Sequence, residues 1–418
     1  EVVITSGRPS PNSAILINGT LTITKGIFDY GAYIISARGN VSLAAGITLG
    51  KSAGTGRLLM NGTVDQTLNS SNASLYNLEI NNTDASPVVT LATDNLTVLG
   101  TLTMTAGIFD INTYKLSLSD AQSAIAGTGF SATKMIQTAA NASDGGLELY
   151  LNANETLTFP IGVSGKYTPV VATFTGYSDD GLVNIIPTNG VLQTTNLAGG
   201  TSILGYYWKV KHAGFSVLPT VAYQFTYVNG DVSGTESLYV PGKVLDAVPF
   251  TRSAENDVAK VDDATNIITF NGAGAGFTLE LANYTAGEPN RFTGAPEVYY
   301  TKRGGDGFTL KWNNAANWTL ATDGTLPPHH SNQPNAPTFP GAGDVAIVGY
   351  VPFNDPVVAR RGQPHGIAID GITVNLAELR FEQLKDASNN PTARVYAYNF
   401  QFRPTVVINN PGTQGQLT

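Results

Sequence analysis

The sequence predicts an all-β protein: an irregular parallel β-helix (a solenoid), then an antiparallel β-sandwich, then the start of a second β-solenoid module. Three observations carry this. Helix periodicity is almost absent, and short runs rich in Thr, Val, Ile and Leu alternate with Asn-Gly and Gly/Ser/Asp turn compositions. An eleven-residue segment returns at an offset of 81 residues. Aromatic residues thicken after Phe159, among them Tyr167, Phe174, Tyr206, Trp208, Tyr223 and Phe225.

The first region is residues 1–158. Strand-like windows fall at 20–24, 34–37, 40–44, 75–80, 88–92 and 96–105. The repeat is Gly19-Thr20-Leu21-Thr22-Ile23-Thr24-Lys25-Gly26-Ile27-Phe28-Asp29 against Gly100-Thr101-Leu102-Thr103-Met104-Thr105-Ala106-Gly107-Ile108-Phe109-Asp110. Repeated short strands and turns predict stacked coils, each burying the next one's apolar edge. Leu21, Ile23, Ile27 and Phe28 are expected to face inward, as are Leu102, Met104, Ile108 and Phe109, with glycines at the corners. The competing architecture is a sandwich of hairpins. The second region, 159–296, carries runs at 168–175, 181–186, 206–211, 220–227 and 267–270, the spacing of an Ig-like antiparallel sandwich. The third, 297–418, shows strand-like runs at 345–348, 367–369, 372–376, 393–398 and 405–408. Neither end offers an obvious capping coil.

Composition excludes several classes. The 418 residues hold 23 Lys+Arg against 31 Asp+Glu, a net charge of -8, so no basic nucleic-acid footprint exists. Only 13% are charged, against about 25% in ordinary soluble proteins. Cys is absent, which removes disulfides, thiolate metal sites and thiol nucleophiles. No apolar run approaches the ~20 residues of a membrane-spanning helix. Low charge with abundant Thr, Asn and Gly points to an extracellular bacterial β-protein. Residues 1–20 have no basic start followed by an apolar stretch, and the chain reads as a mature or internal fragment.

Catalytic motifs are sparse. The four histidines, His212, His329, His330 and His365, form no HExxH. Gly50-Lys51-Ser52 ends like a P-loop, but Ala45 stands where its first glycine belongs. His329-His330 is a weak metal candidate in a Pro-rich loop. Asp179, Asp180, Asp257, Asp262 and Asp263 are weak candidates for structural Ca²⁺, the one cofactor entertained. Turn geometry explains the same residues. Asp29 and Asp110 fit a repeated turn better than a catalytic pair. Trp312 and Trp318 are sugar-stacking candidates, with plugging of a solenoid end as the structural alternative. Eleven Asn-x-Ser/Thr triplets, nine of them before residue 155, follow the Asn/Thr-rich composition and are read as structural.

Four patterns together resemble very large, repetitive cell-surface proteins of the Bacteroidota, the class linked to type IX secretion and including gliding adhesins. They are Trp312-Asn313-Asn314-Ala315-Ala316-Asn317-Trp318 with Pro340-Gly341-Ala342-Gly343-Asp344-Val345-Ala346-Ile347; Gly62-Thr63-Val64-Asp65-Gln66-Thr67-Leu68 with Leu75-Tyr76-Asn77-Leu78-Glu79-Ile80-Asn81-Asn82; the repeat at Gly100; and Phe159-Pro160-Ile161-Gly162 with Tyr167-Thr168-Pro169-Val170. The resemblance implies a stretch of tandem array holding the end of one module and the start of the next, although the long C-terminal sorting domain of the class is missing. The expected function is a non-enzymatic, extracellular structural or adhesive stalk at a bacterial cell surface. Its expected partners are neighbouring modules, copies of itself or surface polysaccharide, with no nucleic acid and no membrane insertion. The alternatives are a filament subunit joined head to tail and a polysaccharide-active β-helix enzyme.

Overall fold

A computed structural model describes residues 2–4, 11–25, 27–50, 54–83, 87–121, 123–192, 202–246, 252–254, 260–271 and 276–292, and then 298–301, 310–311, 318–321, 339–340, 344–350, 367–368, 374–375, 378–383 and 408–409. The chain divides into two compact units, 1–191 with 202–243 and 255–288, and 192–201 with 244–254 and 289–418.

The first unit opens with a three-faced parallel solenoid. The chain visits a six-stranded, a nine-stranded and an eleven-stranded sheet in strict rotation, and every neighbour within the coils is parallel. The six coils begin at Ile15–Ile17, Ile34–Ala37, Arg57–Met60, Leu78–Asn81, Thr101–Ala106 and Ala124–Ala126. Parallel neighbours exclude the sandwich of hairpins for this region. Alternation with period 2 sends every second side chain inward. Ile17, Ala37, Met60, Ile80 and Met104 stack on one face, and Leu21, Val41, Leu68 and Leu91 on another, all 4% exposed or less. Each fully buried Leu or Ile stabilises the fold by about 1.5–3 kcal/mol.

Two expectations need correction. Leu21, Ile23, Phe28, Leu102, Met104 and Phe109 are buried, but Ile27 and Ile108 are only half-buried. Each directly precedes an inward phenylalanine, so strand alternation turns it outward. The windows 75–80 and 96–105 are not single strands. They split into Ser74–Leu75 with Leu78–Asn81 and Leu96–Val98 with Thr101–Ala106, each pair lying on two different faces. The corners fall at Tyr76-Asn77 and Leu99-Gly100. A Cβ on Gly100 would stand 2.4 Å from Asn77 Oδ1 and 2.6 Å from the Tyr76 carbonyl oxygen, so only glycine fits the second corner.

The solenoid passes into the sandwich without a break in hydrogen bonding. Gly146–Leu151 pairs parallel with Lys115–Leu118 and antiparallel with Gly181–Asn189. The sheet then continues antiparallel through Tyr206–Ala213 and Ala282–Gly287. Gly146 makes this possible: its φ is +73°, and a Cβ would meet the Ile185 carbonyl oxygen at 2.5 Å. The opposing sheet is Thr156–Phe159, Val170–Thr175, Thr220–Thr226, Ile267–Phe270 and Lys260–Asp262. Between the sheets the core is aromatic. Trp208 lies 4.9 Å from Phe225, and Tyr284 sits 5.0–5.2 Å from Tyr223, Phe225 and Phe270, centroid to centroid. Trp208 Nε1 donates to the Thr168 carbonyl at 3.1 Å, which satisfies the indole inside that core.

The second unit repeats the parallel theme. Val298–Thr301, Val345–Tyr350 and Glu378–Gln383 form a parallel path, with Trp318–Ala321 antiparallel on the outer side of Val298–Thr301. Leu310–Lys311 pairs parallel with Ile367–Ala368, and Val374–Asn375 with Ile408–Asn409. Parallel pairing thus recurs in three separate sheets of this unit. The sequence windows at 345–348, 367–369 and 372–376 coincide with strands here; 393–398 and 405–407 lie outside the described residues.

Candidate functional site

The polar chemistry of the first unit collects in three places, and the sequence singled out only one of them. The first is the row of coil corners. Asn40 Oδ1 accepts the Thr67 N–H, Asp65 Oδ1 that of Val88, Asn77 Oδ1 that of Thr101 and Asn95 Oδ1 that of Lys115, at 2.8–3.2 Å. In each case a corner side chain fastens backbone 20–27 residues on, in the following coil. Asn77 also donates to the Gly54 and Gly56 carbonyls, so it ties three successive coils. Gln66, only 1% exposed, donates to Ala37 and Gly39 carbonyls and accepts from the Gly62 N–H. These ties offset the cost of burying polar groups. The signal for them was the Asn or Asp at the corners, and two of the four, Asn40 and Asn95, belong to the Asn-x-Ser/Thr triplets.

The second place is the end of the sandwich where 176–180 meets 214–219. Asp179 Oδ2 accepts from the Ser216 N–H at 2.5 Å and the Ser216 hydroxyl at 2.7 Å, and Oδ1 accepts from the Val217 N–H at 3.3 Å. Asp180 takes the phenol of Tyr150 on one oxygen, at 2.5 Å, and that of Tyr177 on the other. The Ser216 backbone bond holds Asp179 below the usual carboxylate range, and the Tyr150 bond does the same for Asp180. The bond to Asp180 pushes Tyr177 up to about 12. Every carboxylate oxygen in this pair has a protein donor, and the Ca²⁺ candidates Asp179 and Asp180 fasten this loop to Ser216-Val217 and to Tyr150.

The other candidates lie elsewhere. Asp262 Oδ1 accepts the N–H groups of Ala264 and Thr265 at the turn of a hairpin, with Asp263 beside it. That turn adjoins Thr226, whereas Asp179 adjoins Thr220, so the two acidic pairs stand at opposite ends of one strand and share no ion. Asp257 lies outside the described residues, as do His329, His330, His365, Lys51, Ser52 and Trp312. Trp318 is fully buried and offers no ring face to a sugar. His212, its ring 6.2 Å from that of Phe215, is held below the usual imidazole range by burial. Among the described residues no three His, Asp or Glu side chains gather as a metal-ligand set, and no helix is long and apolar enough to cross a membrane. Asp29 and Asp110 each accept the N–H two residues on, from Gly31 and Asn112. Both serve turns.

The third place was not anticipated. Lys166, in the hairpin strand that closes the nine-stranded sheet, donates to Asn189 Oδ1 at 2.6 Å and to Asp231 Oδ1. Asn189 ends a strand of the sandwich, and Asp231 ends the 3₁₀ turn Asn229–Asp231. The Lys166 ammonium stands 5.7 Å from the centre of the buried Tyr206 ring. Asp231 is 7% exposed. Lysine is common on any surface, so nothing in the local sequence marked this meeting of three distant residues.

No family model, no curated protein and no solved structure matches this chain.

Proposed function

We propose that the chain is a stalk segment of a non-enzymatic, extracellular structural or adhesive protein at a bacterial surface, of the tandem-module kind seen in the large repetitive proteins of the Bacteroidota linked to type IX secretion. One observation carries the reading: a single sheet runs from Ile27–Phe28 through the solenoid face and on into the sandwich as far as Ala282–Gly287. Load applied along such a path is shared by rows of backbone hydrogen bonds at about 4.8 Å spacing, with no flexible linker between the two architectures. Single-molecule pulling tests this. A stalk resists as one high-force event spanning solenoid and sandwich, whereas early low-force release of the sandwich from the solenoid overturns the reading. Turnover of any polysaccharide by the purified chain would overturn its non-enzymatic part.

A second reading, a filament subunit, is favoured by the outermost strands Val2–Ile4, Ile15–Ile17 and Ile27–Phe28, each paired on one side only among the described residues, with Val2, Val3 and Leu16 40–53% exposed. Parallel edges of this kind accept a further coil. The denatured mass of the polypeptide from its native source separates the two: far above 43.9 kDa for a stalk segment, near it for a subunit.

A further inference from the structure

We propose that Lys166 and Asn189 become joined by an isopeptide bond, a self-catalysed cross-link between the end of the solenoid and the sandwich, with Asp231 carrying the proton. The cross-link needs three groups in one place: an amine, an amide carbonyl within its reach, and a carboxyl group touching the amine. All three are present. Lys166 Nζ donates to the Asn189 carboxamide oxygen at 2.6 Å and to Asp231 Oδ1. The second Asp231 oxygen, Oδ2, is buried and has no hydrogen-bond partner among the described residues. A buried unpaired oxygen on a carboxylate is costly in a merely structural ion pair, but it is what a group that must take up and return a proton requires.

The backbone holds the three in register. The Asn189 N–H donates to Ala140 at 3.1 Å, the Gly190 N–H to Gly205 at 2.8 Å, and the Gly205 N–H to Asp231 at 2.7 Å. The strand ending at Asn189 and the turn ending at Asp231 are thus clamped through Gly205. Lys166 is fixed from the other side by the hairpin pairing of Val163 with Lys166. Such fixed proximity replaces a bimolecular encounter. Asn189 is exposed, so a small leaving group has a way out.

The step balances without a co-reactant. Asp231 takes a proton from the Lys166 ammonium, and the free amine attacks Asn189 Cγ. The protonated Asp231 donates to the carbonyl oxygen as the tetrahedral centre forms. Collapse breaks the Cγ–Nδ2 bond as the proton on the oxygen passes to the departing nitrogen, and the second Nζ proton, relayed through Asp231, leaves with the ammonia as ammonium. The product is a secondary amide between Nζ and Cγ, and Asp231 is regenerated as a carboxylate. The bond stands independently of the stalk reading, although a stalk without cysteine gains from it a covalent tie where its two architectures meet.

The test is the intact mass of the full chain, followed by digestion. The expected result is a loss of about 17 Da, the mass of ammonia, with trypsin unable to cut after Lys166, so that 135–209 appears as one internally linked peptide. Lys166→Arg and Asp231→Asn should each restore the full mass, with circular dichroism to confirm that the variants fold. Should either variant misfold, the mass and digest of the unaltered chain decide alone. A full mass with normal cleavage after Lys166 overturns the proposal. So does loss of ammonia with normal cleavage there, because Asn189-Gly190 can also close on its own backbone to a succinimide. Loss of about 18 Da, the mass of water, with linkage to Asp231 would overturn the choice of acceptor.

Discussion

Residues 19–29 and 100–110 are nearly the same segment, and they fold alike locally yet lie on different faces of the solenoid. In both copies an inward phenylalanine precedes an aspartate that accepts the N–H two residues on. In both, the following turn closes with a bond from residue 33 to 30 or from 114 to 111, around a residue at φ 55°. That residue is Gly31 in one copy and Asn112 in the other. But Leu21–Ile23 lies in the nine-stranded sheet and Thr101–Ala106 in the six-stranded one, while Phe28 lies in the eleven-stranded sheet and Phe109 in the nine-stranded one. Leu21, Val41, Leu68 and Leu91 stack in one sheet, so three coils end at residue 91, and position 102 falls two faces further on. Local sequence sets the turn and the inward positions; the running length of the coils sets the face.

The strongest way to test this comparison is at the phenylalanines. Phe109 is fully buried between coils on both sides, and Phe109→Ala should cost about 3–5 kcal/mol in denaturant unfolding. Phe28 sits in the outermost strand of its sheet, and Phe28→Ala should cost nearer to about 2 kcal/mol, because end coils open locally. Equal losses would mean that the solenoid unfolds as one unit with no weak end. Next come the aspartates. Asp110 holds both the Asn112 N–H and Gln137 Nε2, whereas Asp29 holds the Gly31 N–H. Asp110→Ala should therefore cost about 2 kcal/mol and Asp29→Ala about 1 kcal/mol.

A smaller effect is expected from making the copies more alike. Nothing lies within 4 Å of a Cβ on Gly31. Asparagine tolerates the left-handed conformation, as Asn112 demonstrates, so Gly31→Asn should shift stability by no more than about 0.5 kcal/mol. A large loss there would show that the two turns are not equivalent. The smallest effect concerns the same turn device in the sandwich. Asp262 is held below the usual carboxylate range, first by its bond with the Thr265 side chain and then by the Ala264 and Thr265 N–H groups. Because the folded value is depressed, the contribution of this turn is present above the ordinary carboxylate range and is lost as pH falls through the lowered value. The protection factors of the Ala264 and Thr265 amides, measured against intrinsic exchange at each pH, should hold through the ordinary range and fall only in stronger acid.

The two architectures also differ in how far the residues announce them. Five sandwich strands were legible, since 168–175, 181–186, 206–211, 220–227 and 267–270 match Val170–Thr175, Gly181–Asn189, Tyr206–Ala213, Thr220–Thr226 and Ile267–Phe270, whereas Thr156–Phe159, Lys260–Asp262 and Ala282–Gly287 were not picked out. Long antiparallel strands that face an aromatic core leave a strong alternating pattern. Solenoid strands of two to six residues leave a weaker one, and corners such as Asn77 look in sequence like the interior of a continuous apolar run. The Lys166–Asn189–Asp231 meeting left no pattern at all, because it is made from three separate segments.

The sequence by itself determined the inward and outward alternation, the turns at Asp29, Asp110 and Asp262, and the change from aliphatic to aromatic core, all of which depend on neighbours within a few residues. Only the tertiary structure decided which face each strand joins, where the corners fall and how the solenoid enters the sandwich. The coils differ in length: 20 residues separate Leu21 from Val41, and 27 separate Val41 from Leu68. A strand's face is therefore fixed by hydrogen bonds to the coil already laid down beneath it, and local propensity carries no record of that count.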